Sequence, residues 1–101
     1  MNFTSNPKFR LGRIVITPGA IAALAKSNQD PKIFISKHQS GNYGCLCEED
    51  KKANDEAIAN EGNPSKQQRV MSSYKTSKGE VLWVITEHDR SVSTLLLPEE
   101  Y

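Results

Sequence analysis

The run Trp83–Leu97, WVITEHDRSVSTLLL, decides the architecture. Two apolar halves flank the polar tetrapeptide Glu87-His88-Asp89-Arg90. In the first half, extended back to Glu80, Val81, Trp83 and Ile85 alternate with Leu82 and Val84. Both faces are therefore apolar, the pattern of a central strand. Val92–Leu97 reads as the next strand, with the tetrapeptide as the turn between them. Upstream, Arg69–Thr76 places Val70, Ser72 and Tyr74 on one face and Met71, Ser73 and Lys75 on the other, and Lys78-Gly79 turns into the following strand. Three successive antiparallel strands form a β meander.

The first half of the chain reads differently. Arg13–Thr17, RIVIT, is a short strand of β-branched residues. Thr17 and Pro18 then supply a helix N-cap and first position, which predicts a helix over about 18–27. Asp30 and Pro31 repeat the device, with Ile33, Phe34 and His38 following at helical spacing. Gly41 and Gly44 in SGNYG stop this second helix. A third, highly polar helix fits Glu48–Glu61, its opening acids Glu48, Glu49 and Asp50 complementing the positive end of the helix dipole. The expected fold class is α+β, three helices followed by an antiparallel three-stranded meander, with the RIVIT strand available as a fourth at an edge. Residues 10–101 form one domain behind a mobile segment, 1–9.

Composition narrows the class. The chain has 101 residues, a net charge of +1 and 25% charged residues. The charge is segregated, since residues 1–47 carry six Lys/Arg against one acid, whereas residues 48–61 carry six acids against two lysines. A basic front half invites nucleic acid weakly, and ordinary surface coverage explains it as well. MNFTSNPKFR lacks the apolar core of a signal peptide, and the longest apolar runs are far too short to span a bilayer. A cytoplasmic location without membrane association is expected, with Cys45 and Cys47 as free thiols because a bridge between them would close a strained loop.

The reactive-looking residues fall into three groups. In EHDR, His88 could act in acid–base chemistry, Glu87 or Asp89 could orient it, and Arg90 could hold an anion. Helices ahead of an antiparallel sheet with a histidine in a late turn are similar in layout to the barnase-like ribonucleases, with Arg69, Lys75, Glu87 and His88 as the available parts. Adjacent turn residues point in different directions, however, so the preferred reading is a solvated turn. A ribonuclease or toxin using His88 and Glu87 as acid–base pair, with Arg69 beside them, is the alternative. In HQSGNYGCLC (residues 38–47), one histidine and a C-x-C give three metal ligands at the wrong spacing, so no metal or other cofactor is expected. One cysteine reads as a small packed side chain, His38 as a helix-end residue and Tyr43 as a packing anchor or exposed contact. Tyr74 and Trp83 could stack bases with Arg69, Lys75 and Lys78 near phosphates, but Trp83 reads better as core, packed against the helices.

LWVITEHDRSVSTLLLPEEY, FRLGRIVITPGAIAAL and KHQSGNYG together resemble a family of small bacterial, plasmid-related proteins often encoded on plasmids and integrative elements, whose members end ITExDRSxTxLLPxEY. The resemblance implies a genomic setting and supplies no mechanism. The function expected is that of a non-enzymatic accessory protein of a mobile element. It would bind a host or element-encoded macromolecule, protein or nucleic acid, in a counter-defence or nucleic-acid-associated role, and would itself be a monomer or weak homodimer. The expected contact residues are Tyr43 and Asn42 in one loop and Glu87, Asp89 and Arg90 in the turn.

Overall fold

Local capping chemistry sets the helices. In the computed structural model, which describes residues 3–63 and 65–101, Thr17 accepts the Ala20 amide at 3.2 Å and Pro18 opens α1 (Pro18–Ser27). Asn28 closes α1 in the left-handed region, at φ 55°. Asp30 accepts the Lys32 amide at 2.9 Å, and Pro31 opens α2 (Pro31–Gln39). Both pairs use proline where its missing N–H leaves no bond unmade. Three acids occupy the first turn of α3 (Glu48–Ala59). Of the expected mobile segment 1–9, residues 1 and 2 lie outside the described residues, as does Pro64 of the loop after α3. Phe9 is buried, and Phe3 packs against the same cluster.

The strands are β1 (Arg13–Ile16), β2 (Val70–Lys75), β3 (Val81–Thr86) and β4 (Val92–Leu96), followed by a 3-10 turn at Pro98–Glu100. They form one sheet in the order β1-β4-β3-β2. The α+β class and the helices-then-strands order are as expected. β2, β3 and β4 pair antiparallel in succession and β1 joins as a fourth strand at the β4 edge, so the sheet is four-stranded rather than a three-stranded meander, and it is mixed because β1 runs parallel to β4. A long connection through three helices and two strands lets β1 pair in either direction. Its own side-chain pattern carries no record of that choice.

All three helices cover one face. Val70, Ser72 and Tyr74 of β2 point to it with Leu82, Val84 and Thr86 of β3, and Ser93 and Leu95 of β4. Two clusters fill the space beneath the helices, one around Leu24, Phe34, Tyr74 and Leu82, the other around Phe9, Leu11, Ile35 and Tyr43. Trp83 is not among them, contrary to the sequence reading. Its register partners are Ser73 and Leu96, which puts it on the helix-free face, half-buried and edge-on to Tyr101 at 5.9 Å. Because β3 is apolar on both faces, alternation alone could not tell which side the helices would take.

The two sheet edges are treated differently. On β2, the Asn54 side chain of α3 donates to the Met71 carbonyl at 2.6 Å and accepts the Met71 amide at 3.1 Å. Two residues on, the Ser73 carbonyl accepts the Cys45 amide and the Ser73 amide donates to Tyr43. Gly44 makes that approach possible. It sits at φ +71°, and a Cβ there would lie 2.1 Å from the Ser73 carbonyl oxygen. Gly44→Ala therefore costs at least about 2 kcal/mol, from the left-handed backbone plus displacement of the 43–45 segment. Urea unfolding checks this as a lowered midpoint with little change in slope.

Candidate functional site

The Glu87–Ser91 turn is built around its arginine. Arg90 has φ +59°, a left-handed conformation that turns its side chain back under the hairpin. The guanidinium is almost fully buried, its side chain 4% exposed. Nε donates to Glu61 at 2.9 Å, and Nη1 donates to the Gln68 carbonyl at 2.7 Å and the Glu87 carbonyl at 3.0 Å. Nη2 lies 2.8 Å from the same Glu61 oxygen as an ion-pair contact, without an aligned hydrogen bond. The guanidinium carbon stands 5.7 Å from the centre of the Phe9 ring. Arg90 thus fastens the turn to the end of α3 and to the N-terminal segment.

The other turn residues face water. Asp89 is exposed and accepts the Ser91 amide and hydroxyl, which hold its carboxyl below the usual carboxylate range. His88 is exposed and Glu87 half-buried. Arg69, the third member of the alternative catalytic set, donates to the Tyr101 hydroxyl at 2.8 Å. A groove of about 540 Å³ beside the turn is lined by Lys8, Phe9, Arg10, Glu61, Asp89 and Arg90 among others, and neither His88 nor Glu87 belongs to its wall.

Two of the expected contact residues are buried: Arg90 departs from its expected exposure, and Tyr43 is a packing anchor rather than an exposed contact. Arg90 is held as described, and Tyr43 is 5% exposed, its hydroxyl 3.5 Å from Asp55. Burial, with the Asp55 charge beside it, pushes the Tyr43 hydroxyl up to about 12. Asn42 is exposed, but its side chain accepts the Gly44 amide and its carbonyl accepts the Tyr74 hydroxyl. Tyr74 is buried on the helix side, so it cannot stack a base on the face that carries Trp83. Cys45 and Cys47 are free and exposed, so neither is the packed small side chain expected.

The buried polar residues that sequence reasoning missed centre on His38. Its side chain is fully buried between two hydroxyls, with Nδ1 2.6 Å from Ser72 and Nε2 2.9 Å from Thr86. Thr86 lies 2.6 Å from Ser93, which donates to the Leu11 carbonyl at 2.7 Å. One proton per hydroxyl fixes the direction of the whole chain. Ser93 spends its proton on Leu11, so Thr86 donates to Ser93. Thr86 must then accept from His38, so Nε2 carries the ring proton and Nδ1 accepts from Ser72. A second ring proton, on Nδ1, would force Ser72 to turn from donor to acceptor and redirect its own proton. Burial first, and the Arg90 charge second, lower the His38 pKa from the usual 6.5 to about 3. Phe9 meets this ring edge-on at 5.1 Å and also carries the Arg90 guanidinium 5.7 Å from its ring centre. The signal was present as Ser72, Thr86 and Ser93, three hydroxyls on strand faces otherwise filled by Val, Leu and Tyr.

A second surface emerges on the helix-free face. Met71, Ser73, Val81, Trp83, Val92 and Thr94 lie half-buried across β2, β3 and β4. Ile85 and Leu96 share this face and are buried, and the C-terminal 3-10 turn packs on it against β3, with Tyr101 edge-on to Trp83. Among the described residues no group of three or more His, Cys, Asp and Glu side chains is placed to hold a metal, and no helix is long and apolar enough to cross a membrane.

Two outcomes follow from the buried groups. Because folding depresses the His38 pKa, the unfolded chain binds the extra proton first, and stability falls as pH drops from about 6.5 towards 3 by up to about 1.4 kcal/mol per pH unit. Urea unfolding at pH 5 and pH 7 reads this slope, and His38→Gln flattens it. Arg90→Met leaves Glu61 with only the Arg10 amide and strips several carbonyls of their donor, and costs about 3 kcal/mol, measured in the same way. No protein-family model matches the chain, and no curated protein or solved structure is significantly similar to it.

Proposed function

We propose that this chain is a non-enzymatic docking protein, an accessory factor of a mobile element, that engages a macromolecular partner through the helix-free face of its sheet. The observation that carries the reading is Trp83. A tryptophan held half-buried at the middle of a sheet face that no helix covers, with Met71, Val81 and Thr94 around it, has the composition of an interface centre. Arg69 and Lys75 on β2 and its approach, and Arg13 on β1, place cations towards the margin of this surface. An apolar centre with a charged rim suits a protein partner better than a bare phosphate backbone.

Support also comes from what the polar residues already do. Arg90 and Tyr43 are committed to the interior, and Asp89 to its own turn. Of the acid–base pair in the ribonuclease alternative, His88 stands in water, and Arg69 is bonded to Tyr101. No observation favours that alternative. Asn42, Glu87 and Asp89 are left as peripheral contacts.

Thr94 lies in the centre of the proposed face and is half-buried, so an arginine there alters the surface without entering the core. Capture of the partner from the native host, followed by quantitative mass spectrometry, is expected to fall at least about tenfold for Thr94→Arg, the loss that one blocked interface centre produces. His88→Ala is expected to leave capture unchanged. Ribonuclease activity of the purified chain that disappears in His88→Ala contradicts the proposal.

A further inference from the structure

The open edge of β1 is the counterpart of the covered edge of β2, and its geometry specifies its occupant. The Arg13 and Thr17 amides donate inward to the carbonyls of Ser91, just before β4, and Leu95 within it. By the two-residue alternation of a strand, the peptide groups of Ile14 and Ile16 point outward. Among the described residues nothing bonds to them, whereas Met71 and Ser73 on the opposite edge are met by Asn54 and by the 43–45 segment. Beside β1 runs an apolar groove of about 470 Å³, lined by Ile16, Ile21, Leu24 and Ala25 together with the α1–α2 connection. Ile21 is 55% exposed, the most exposed large aliphatic side chain in the described chain.

We infer that β1 pairs antiparallel with β1 of a second copy about a two-fold axis through Val15, joining two four-stranded sheets into one of eight. This inference is independent of the proposed docking function. The register is dictated by three constraints. A two-fold perpendicular to the sheet requires facing residues to share a side, so the axis must pass through a residue and not between two. An axis at Ile14 would place Ile16 opposite Gly12, whose φ of +66° takes it out of the strand. An axis at Ile16 would place Ile14 opposite Pro18, which has no N–H and starts α1. Only Val15 remains. About that axis, Ile14 of each copy exchanges both peptide hydrogen bonds with Ile16 of the other, which satisfies all the outward groups.

The charges then fall into place. Arg13 of one copy lies opposite Thr17 of the other, on the helix-free side. At Thr17 stands the Glu100 carboxylate, accepting from the Thr17 hydroxyl at 2.6 Å and from the Gly19 amide at 3.0 Å. These bonds hold Glu100 below the usual carboxylate range, so it is charged near neutral pH. Two Arg13–Glu100 pairings therefore flank the axis, one at each end of the short ladder, and Arg13 is exposed and available for them. On the helix side, Ile14 of the second copy comes beside Ile16 at the lip of the groove that holds Ile21.

Sedimentation of the full chain from micromolar to millimolar concentration tests the assembly, and an engineered cysteine tests the register. The expected result is a mass rising with concentration towards twice 11.2 kDa. Val15→Lys sets two ammonium groups against each other on the axis and is expected to keep the chain monomeric with an unchanged circular-dichroism spectrum. In a Cys45→Ser/Cys47→Ser background, Val15→Cys is expected to oxidise to a disulfide-linked dimer, because directly facing residues of a non-hydrogen-bonded antiparallel pair lie within bridging distance. Thr94→Cys, the register partner of Val15 one strand inward, is expected to stay unlinked. A chain that stays monomeric throughout, or Thr94→Cys cross-linking as fast as Val15→Cys, overturns the inference.

Discussion

The structure depends on a neutral imidazole. His38 lies at the junction of α2, β2 and β3, and its two ring nitrogens are the only polar atoms of a side chain that has no contact with water. A charged ring there would be costly to bury, and an unbonded one would waste two hydroxyls. The chain of protons running from Ser72 through His38, Thr86 and Ser93 to the Leu11 carbonyl resolves both problems. It also ties the N-terminal segment to three strands that are distant in sequence. Phe9 packs edge-on against the ring, and Arg90, bonded to Glu61, packs against the same Phe9.

This arrangement explains why the polar residues that look most reactive in the sequence do not gather into one site. Arg90 leaves the hairpin turn for the interior because its backbone adopts a left-handed conformation, which no local pattern announces. With Arg90 withdrawn, Glu87, His88 and Asp89 remain as separate groups on a bend. The proposed recognition rests instead on the surface: the helix-free face with Trp83 near its middle, and the β1 edge with Ile14 and Ile16 turned outward. Pairing at that edge would place two such faces side by side on one continuous sheet.

Much of the secondary structure was legible because the signals are local. Thr17-Pro18 and Asp30-Pro31 open helices through their own side chains, and the alternation in Val70–Lys75 is a property of consecutive residues. The parallel pairing of β1 with β4 was not legible, since it depends on a return over the whole length of the chain. The side taken by Trp83 was hidden because β3 is apolar on both faces. The burial of Tyr43 follows from Gly44 pressing against β2, a contact made by backbone and not written in the side chains. The His38 chain was half legible. Ser72, Thr86 and Ser93 interrupt apolar strand faces, but only the fold brings them to one ring.

The most direct test of the account is the protonation state of His38, read from its imidazole nitrogen resonances by NMR between pH 7 and pH 5. The account predicts a neutral ring with its proton on Nε2, in slow exchange with water and unchanged across that range while the chain stays folded. A His38 ring that titrates near the ordinary value of 6.5, or that carries its proton on Nδ1, contradicts it.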